Sequence, residues 1–249
     1  MRRLLVVLGL ILAGCAPDAA PADVSAETPT YTAPPVAERV SVSPEGQLTI
    51  SGRTGPDERV RIIQMDGTAH GGTADGNGAF SIAIPAGGDE DLLFNLSVER
   101  AGQSVSSDGW LFSPGHAPNR SVMLRIGGAS RPVGPAPLLA VLDMDGGGGV
   151  ALAGRSTPGA RVRVSLDGQD RGAAQADETG LWFMVLSSTV SAGPHQVTVN
   201  DGEDRVDRRL DLQPQRASGP LESTHFPDAV RVVWALPGGG NQTTWILLP

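Results

Sequence analysis

The chain has 249 residues and no lysine; all 19 of its basic residues are arginine, set against 27 acids. The bias points to a GC-rich coding sequence and carries no function. The net charge of −8 argues against a nucleic-acid partner, which selects a basic surface. Cys15 is the only cysteine, so no disulfide forms within the chain and stability must come from burial. The apolar run from Leu4 to Leu12 is nine residues long, well short of the roughly 20 that a membrane-spanning helix needs. No amphipathic helical pattern follows it. Reactive constellations are missing too. There is no G-x-S-x-G elbow, P-loop, HExxH or CxxC, and His70, His116, His195 and His225 are scattered. The expectation is therefore a non-enzyme without metal or cofactor.

What is present begins at the N-terminus. Arg2 and Arg3, the apolar run and the small residues Ala13 and Gly14 follow the order of a secretory signal peptide. The string Leu12-Ala13-Gly14-Cys15 resembles the lipobox of bacterial lipoproteins. That resemblance implies cleavage before Cys15, a diacylglycerol on its thiol and acylation (palmitate-type) of its amine. The mature chain would have 235 residues (249 − 14) and, without Arg2 and Arg3, a net charge of −10. Several acyl chains on one residue anchor stably, since each buried methylene contributes about 0.8 kcal/mol. Ala16, not Asp, follows the cysteine, which by the same resemblance directs the protein to the periplasmic face of the outer membrane.

Residues 15–38 are rich in Ala, Pro, Thr and acids, with almost nothing to bury, and read as a disordered, extended tether. Beyond it the chain repeats. Gly52-Arg53 recurs as Gly154-Arg155, Arg59-Val60-Arg61-Ile62 as Arg161-Val162-Arg163-Val164, and Asp75 to Phe80 as Asp177 to Trp182. All lie 102 residues apart (154 − 52, 161 − 59, 177 − 75), as an internal duplication produces. Within each copy the period is two: apolar and polar residues alternate in Arg161 to Leu166, Gln196 to Asn200 and Ser81 to Ile84. Asp66-Gly67, Asp167-Gly168 and Asn200-Asp201-Gly202 are hairpin turns between such runs. The fold class is all-β.

The string Gly154-Arg155-Ser156-Thr157-Pro158-Gly159-Ala160-Arg161-Val162-Arg163-Val164, with the turn at Asp167-Gly168 and the run Asp177 to Trp182, resembles bacterial Ig-like adhesion and stalk modules. The first copy matches less well, because Gly55-Pro56-Asp57-Glu58 stands where the second has Thr157-Pro158-Gly159-Ala160, so a different turn is expected there. The organisation that follows is a signal peptide over 1–14, the tether over 15–38 and Ig-like module 1 over 39–128. A stiff Pro-rich linker over 129–137, module 2 over 138–213 and a tail over 214–249 complete it. In the tail, Val230 to Trp234 and Thr243 to Leu248 form a candidate hairpin that packs on module 2 or adds to a sheet edge.

The candidate chemistry is sparse. Asp143-Met144-Asp145-Gly146 and Asp75-Gly76-Asn77-Gly78 look like pieces of calcium loops but lack the remaining ligands, and read as turns. Arg161 and Arg163, like Arg59 and Arg61, point outward from one strand. They are candidate partner contacts, though pairing with acids on a neighbouring strand is the more ordinary role. Phe80 and Trp182 belong to the cores. Trp234 and Trp245 are candidate aromatic contacts for a partner, and Pro237-Gly238 with Trp245-Ile246 bears a slight resemblance to a LysM peptidoglycan-binding repeat. The expected function is a non-catalytic envelope lipoprotein, held to the membrane through Cys15, whose modules bind an envelope protein or peptidoglycan. The alternatives are a glycan-binding accessory protein and a periplasmic hydrolase of envelope polymers.

Overall fold

The computed structural model describes residues 33–85 and 88–248. Cys15, the signal peptide and most of the tether lie outside the described residues. Alternation becomes strand wherever it occurs. In the first module these are β1 (Val36–Val42), β2 (Gln47–Arg53), β3 (Arg59–Gln64), β4 (Ala69–Thr73) and β5 (Ala79–Pro85). They are followed by β6 (Leu92–Arg100), β7 (Gln103–Ser106), β8 (Gly109–Ser113), β9 (Val122–Arg125) and β10 (Arg131–Pro132). The second module has β11 (Val141–Asp145), β12 (Val150–Arg155), β13 (Arg161–Leu166), β14 (Gln169–Gln175) and β15 (Leu181–Val185). It continues with β16 (Gly193–Asn200), β17 (Arg205–Leu212), β18 (Leu221–His225), β19 (Ala229–Ala235) and β20 (Asn241–Leu247).

Each module is an Ig-like sandwich of two antiparallel sheets. In the first, β1-β2-β5 packs on β4-β3-β6, with β7 also on β6. In the second, β11-β12-β15 packs on β14-β13-β16-β17. Val60 and Ile62 on β3 turn inward while Arg59 and Arg61 face out, and Val162, Val164, Arg161 and Arg163 do the same on β13. Phe80 and Trp182, at equivalent positions, are both buried in the cores. The extra strands break the symmetry of the duplication. In the first module β8, β9 and β10 extend the sheet that holds β6. In the second, β20, β19 and β18 extend the other sheet from β11.

The Gly-Arg repeat has a steric cause. A Cβ on Gly52 would lie 1.9 Å from the Val36 carbonyl oxygen, and one on Gly154 would lie 2.0 Å from that of Leu138. Val36 and Leu138 are themselves 102 residues apart (138 − 36), so each module begins by crossing over the glycine of its second strand. The turn after β2 is likewise shared. Asp57 (φ 58°) holds the left-handed position that Gly159 (φ 80°) holds in the second copy. Asp tolerates that conformation better than most residues. The expected difference in turn is therefore not found.

Three boundaries move. Module 1 begins at Val36, inside the segment read as tether, because this crossing pairs Val36 with Arg53. The segment read as a stiff linker over 129–137 is largely packed, with Ala129, Ser130 and Val133 buried and β10 paired to β9. The tail over 214–249 forms the expected hairpin and adds to a sheet edge, so it belongs to module 2. Its hairpin β19–β20 inserts beside β11, and Trp245 and Leu247 complete the second core.

Candidate functional site

The two added hairpins meet. Along β19 and β20, Val230, Val232, Trp234 and Ile246 lie on the face opposite the second core. They form one buried cluster with Phe112, Val122 and Leu124 from β8 and β9. A sheet face of module 1 thus packs on a sheet face of module 2, and both strand pairs are apolar on both sides. The run Val232-Val233-Trp234 and the run Trp245-Ile246-Leu247 show no alternation, which is the mark of strands buried on both faces. That lack of alternation is the signal in the sequence by which this surface could have been found, in place of the partner contacts expected of Trp234 and Trp245.

At the edge of this contact lies a buried carboxylate. Asp143 on β11 accepts the Ser130 amide at 2.6 Å, the Ser130 hydroxyl at 2.8 Å and the hydroxyl of Thr244, its cross-strand neighbour on β20, at 2.6 Å. Burial pushes the Asp143 carboxyl above its ordinary range, and the bonds from Thr244 and Ser130 oppose that shift without cancelling it. The segment joining the modules is therefore tied to the second module by its backbone and by a side chain. On another side of the interface His225 lies 2.9 Å from Asp91 of module 1, with the His116 ring edge-on to it at 5.2 Å.

A groove opens where the start of module 1, the connecting segment and the second module converge. It encloses about 400 Å³ and is walled by Val36, Met123, Val133 and Leu181, with Arg131 and Arg155 beside them. Arg155 donates to the Gly134 carbonyl at 2.6 Å and to the Thr179 carbonyl at 2.8 Å. The Arg131 guanidinium stands 5.3 Å from the centre of the Phe183 ring. Desolvation, and then the neighbouring Arg125, push Arg131 below the usual guanidinium range. This is the chemically distinctive concavity among those found at the described residues: apolar walls, two cations and contributions from both modules.

The sequence-predicted residues fare differently. Cys15 lies outside the described residues. Trp234 and Trp245 are each only 4% exposed, Trp234 between the modules and Trp245 in the second core. The expectation that their rings contact a partner is corrected, because packing takes both faces. The slight LysM resemblance goes with it, since its residues lie in a β-hairpin that completes a sandwich. Arg161 and Arg163 are exposed on the outer face of β13, beside the small residues Ala173 and Ala174 of β14. Among the described residues, neither they nor Arg59 and Arg61 lie within 4.0 Å of a carboxylate, so the expected cross-strand ion pairs are not formed.

The other polar motifs are turns and corners. Asp75 accepts the Asn77 and Ala79 amides at 2.8 and 2.9 Å, and Asp177 accepts those of Thr179 and Leu181 at 2.8 and 3.0 Å. Asp145 does the same for Gly147 and Gly149. Among the described residues no group of three or more His, Cys, Asp or Glu could hold a metal ion. His195 contacts Asp167 at 2.6 Å and the Ser191 carbonyl at 2.9 Å, so both ring nitrogens face acceptors. Glu58, held by Arg100, Thr54 and the Gly55 amide, closes one corner of module 1.

No protein-family model matches the chain, and no curated protein matches it. Among solved structures it is similar to the central fibronectin-III array of RIM-binding protein, at 12% identity and a TM-score of 0.29, covering 84% of this chain and 74% of that one. At those values the likeness carries no argument. The assignment of two Ig-like sandwiches rests on the strand pairing itself.

Proposed function

We propose that the protein is a non-catalytic, lipid-anchored scaffold of the bacterial cell envelope. In this reading Cys15 carries the lipid at the periplasmic face of the outer membrane. Residues 16–35 form a spacer, and the two sandwiches act as one rigid binding body for another envelope protein. The observation that carries the reading is the burial of Phe112, Val122 and Leu124 against Val230, Val232 and Trp234. Tandem modules joined by a flexible linker sample many relative positions, and relative motion is the default unless the interface is apolar and well packed. A fixed pair instead presents a surface that spans both modules. Such rigidity suits a structural or docking role, because a preorganised surface loses less freedom on binding.

The fold by itself selects no activity, since sandwiches host many unrelated functions. The anchoring claim is tested by metabolic labelling with an alkyne fatty acid, followed by membrane fractionation. Label on the wild type, with loss of label and release from membranes in Cys15→Ser, is the expected result. A wild-type protein that takes up no label overturns the anchor. In-cell photocrosslinking from Arg161 and Arg163 then identifies the protein that the body docks. A crosslink to one envelope protein is expected, and the absence of any adduct from either position contradicts docking through that face.

A further inference from the structure

We infer that the groove between the modules is a binding site for a small amphiphilic carboxylate, with the acid group against Arg131 and the apolar part on Val36, Met123, Val133 and Leu181. The volume, about 400 Å³, falls within the range of small-molecule sites, which occur preferentially where domains meet. The walls come from the start of module 1, β9, the connecting segment and the turn into β15. The packing that joins the modules holds them in place, so the site is preformed.

Charge decides the chemistry of the occupant. Four guanidinium groups lie in or around the groove, from Arg53, Arg125, Arg131 and Arg155, and three carboxylates, from Glu38, Asp108 and Asp177, the last acting on both Arg131 and Arg155. Arg53 is matched to Glu38 at 3.3 Å and Arg125 to Asp108 at 2.8 Å. Arg131 reaches only the carboxylate already held by Arg125, at 4.0 Å, and its Nε is buried with no hydrogen-bond partner among the described residues. Arg155 contacts only carbonyl and hydroxyl oxygens, from Gly134 and Thr179. The groove therefore carries an excess of one positive charge in a chain whose net charge is −8. An anion restores balance, and the planar fork of Arg131 matches a carboxylate. The apolar walls exclude a fully polar anion, because burying its remaining polar groups without partners is costly. Val36 is 51% exposed although apolar, and a seated alkyl chain would cover it.

The inference does not depend on the anchor, and the test removes the chain's own lipid. Full-length protein carrying Cys15→Ser is titrated with decanoate while methyl NMR follows Met123 and Leu181. Decanol serves as the uncharged control. Saturable shifts with decanoate are expected. Arg131→Gln is expected to weaken binding about tenfold or more, and decanol to bind about tenfold more weakly than decanoate; tenfold is about 1.4 kcal/mol. Val36→Trp, at an exposed position that tolerates bulk, is expected to fill the groove and abolish the shifts with an unchanged melting temperature. Cys15→Ser protein with the groove unaltered and no saturable shifts overturns the site. Equal affinity for decanol, or for decanoate after Arg131→Gln, overturns the assigned role of the cation.

Discussion

The backbone amide of Ser130 donates to the carboxylate of Asp143 at 2.6 Å, and this bond fixes the connecting segment on the outer face of the second module. Asp143 also holds the Thr244 hydroxyl, so three donors converge on one buried group. Removing one donor leaves a buried charge less well satisfied. Thr244→Val is expected to cost about 1–3 kcal/mol in urea unfolding. The pH dependence has a definite sign. Burial raises the Asp143 carboxyl above its ordinary 3.8, so the folded protein holds this proton more tightly than the unfolded chain. Its contribution is greatest at acid pH and is lost as pH rises through the raised value. Comparing wild type with Asp143→Asn across pH isolates this term. The wild type should lose ground relative to the variant as pH rises from acid to neutral.

Gly154 and Leu138 give a second prediction. A Cβ on Gly154 would lie 2.0 Å from the Leu138 carbonyl oxygen, which leaves no room for a methyl group against backbone. Gly154→Ala is expected to destabilise the second module by about 3 kcal/mol, near the top of the range for overpacking. Gly52→Ala should do the same in the first module, where an added Cβ would lie 1.9 Å from the Val36 carbonyl oxygen. Both are read from thermal or denaturant unfolding.

Asp57 predicts a gain. It occupies a left-handed position where the second copy has glycine. Asp57→Gly removes a conformational strain of about 1 kcal/mol, part of which is offset by the greater freedom of glycine in the unfolded chain. A small rise in melting temperature is the expected outcome. The reciprocal change, Gly159→Asp, should lower it.

His195 and Asp167 bound a pH window from both sides, the histidine's share having the same sense as that of Asp143 and the aspartate's the opposite. Desolvation pulls His195 down, but bonds to Asp167 and the Ser191 carbonyl outweigh it and hold the imidazole above its ordinary 6.5. The Gln196 amide, and then His195, hold the Asp167 carboxyl below its ordinary 3.8. The histidine's contribution is present below 6.5 and is lost as pH rises through its raised value. The aspartate's is present above 3.8 and is lost as pH falls through its lowered value. Asp167 is nearly half exposed, so solvent screens the pair. His195→Gln should cost about 0.5–1 kcal/mol between those limits and less at about pH 9.

What the sequence revealed was local. Alternation in Arg161 to Leu166 gave the buried face of β13, and the 102-residue spacing gave two copies of one sandwich. Sheet extension could not be read in the same way. Whether Trp245 pairs with Leu142 or packs loosely on the surface depends on a contact over about a hundred residues, which no period encodes. Trp234 and Trp245 looked available because a tail at the end of a chain has few obvious neighbours. Their burial follows from the insertion of β20 beside β11. Arg131 gave no signal in sequence, because its setting is made by three segments that meet only in the fold.

The central claim is that the two sandwiches move as one body. Backbone ¹⁵N relaxation on full-length Cys15→Ser protein tests it most directly, by comparing rotational diffusion for residues 36–125 with that for residues 141–247. A single diffusion tensor fitting both modules is the predicted result, with Val230→Asp, which places a charge against Phe112 and Val122, splitting it into two. Two tensors with independent correlation times in the unmutated body would contradict the account.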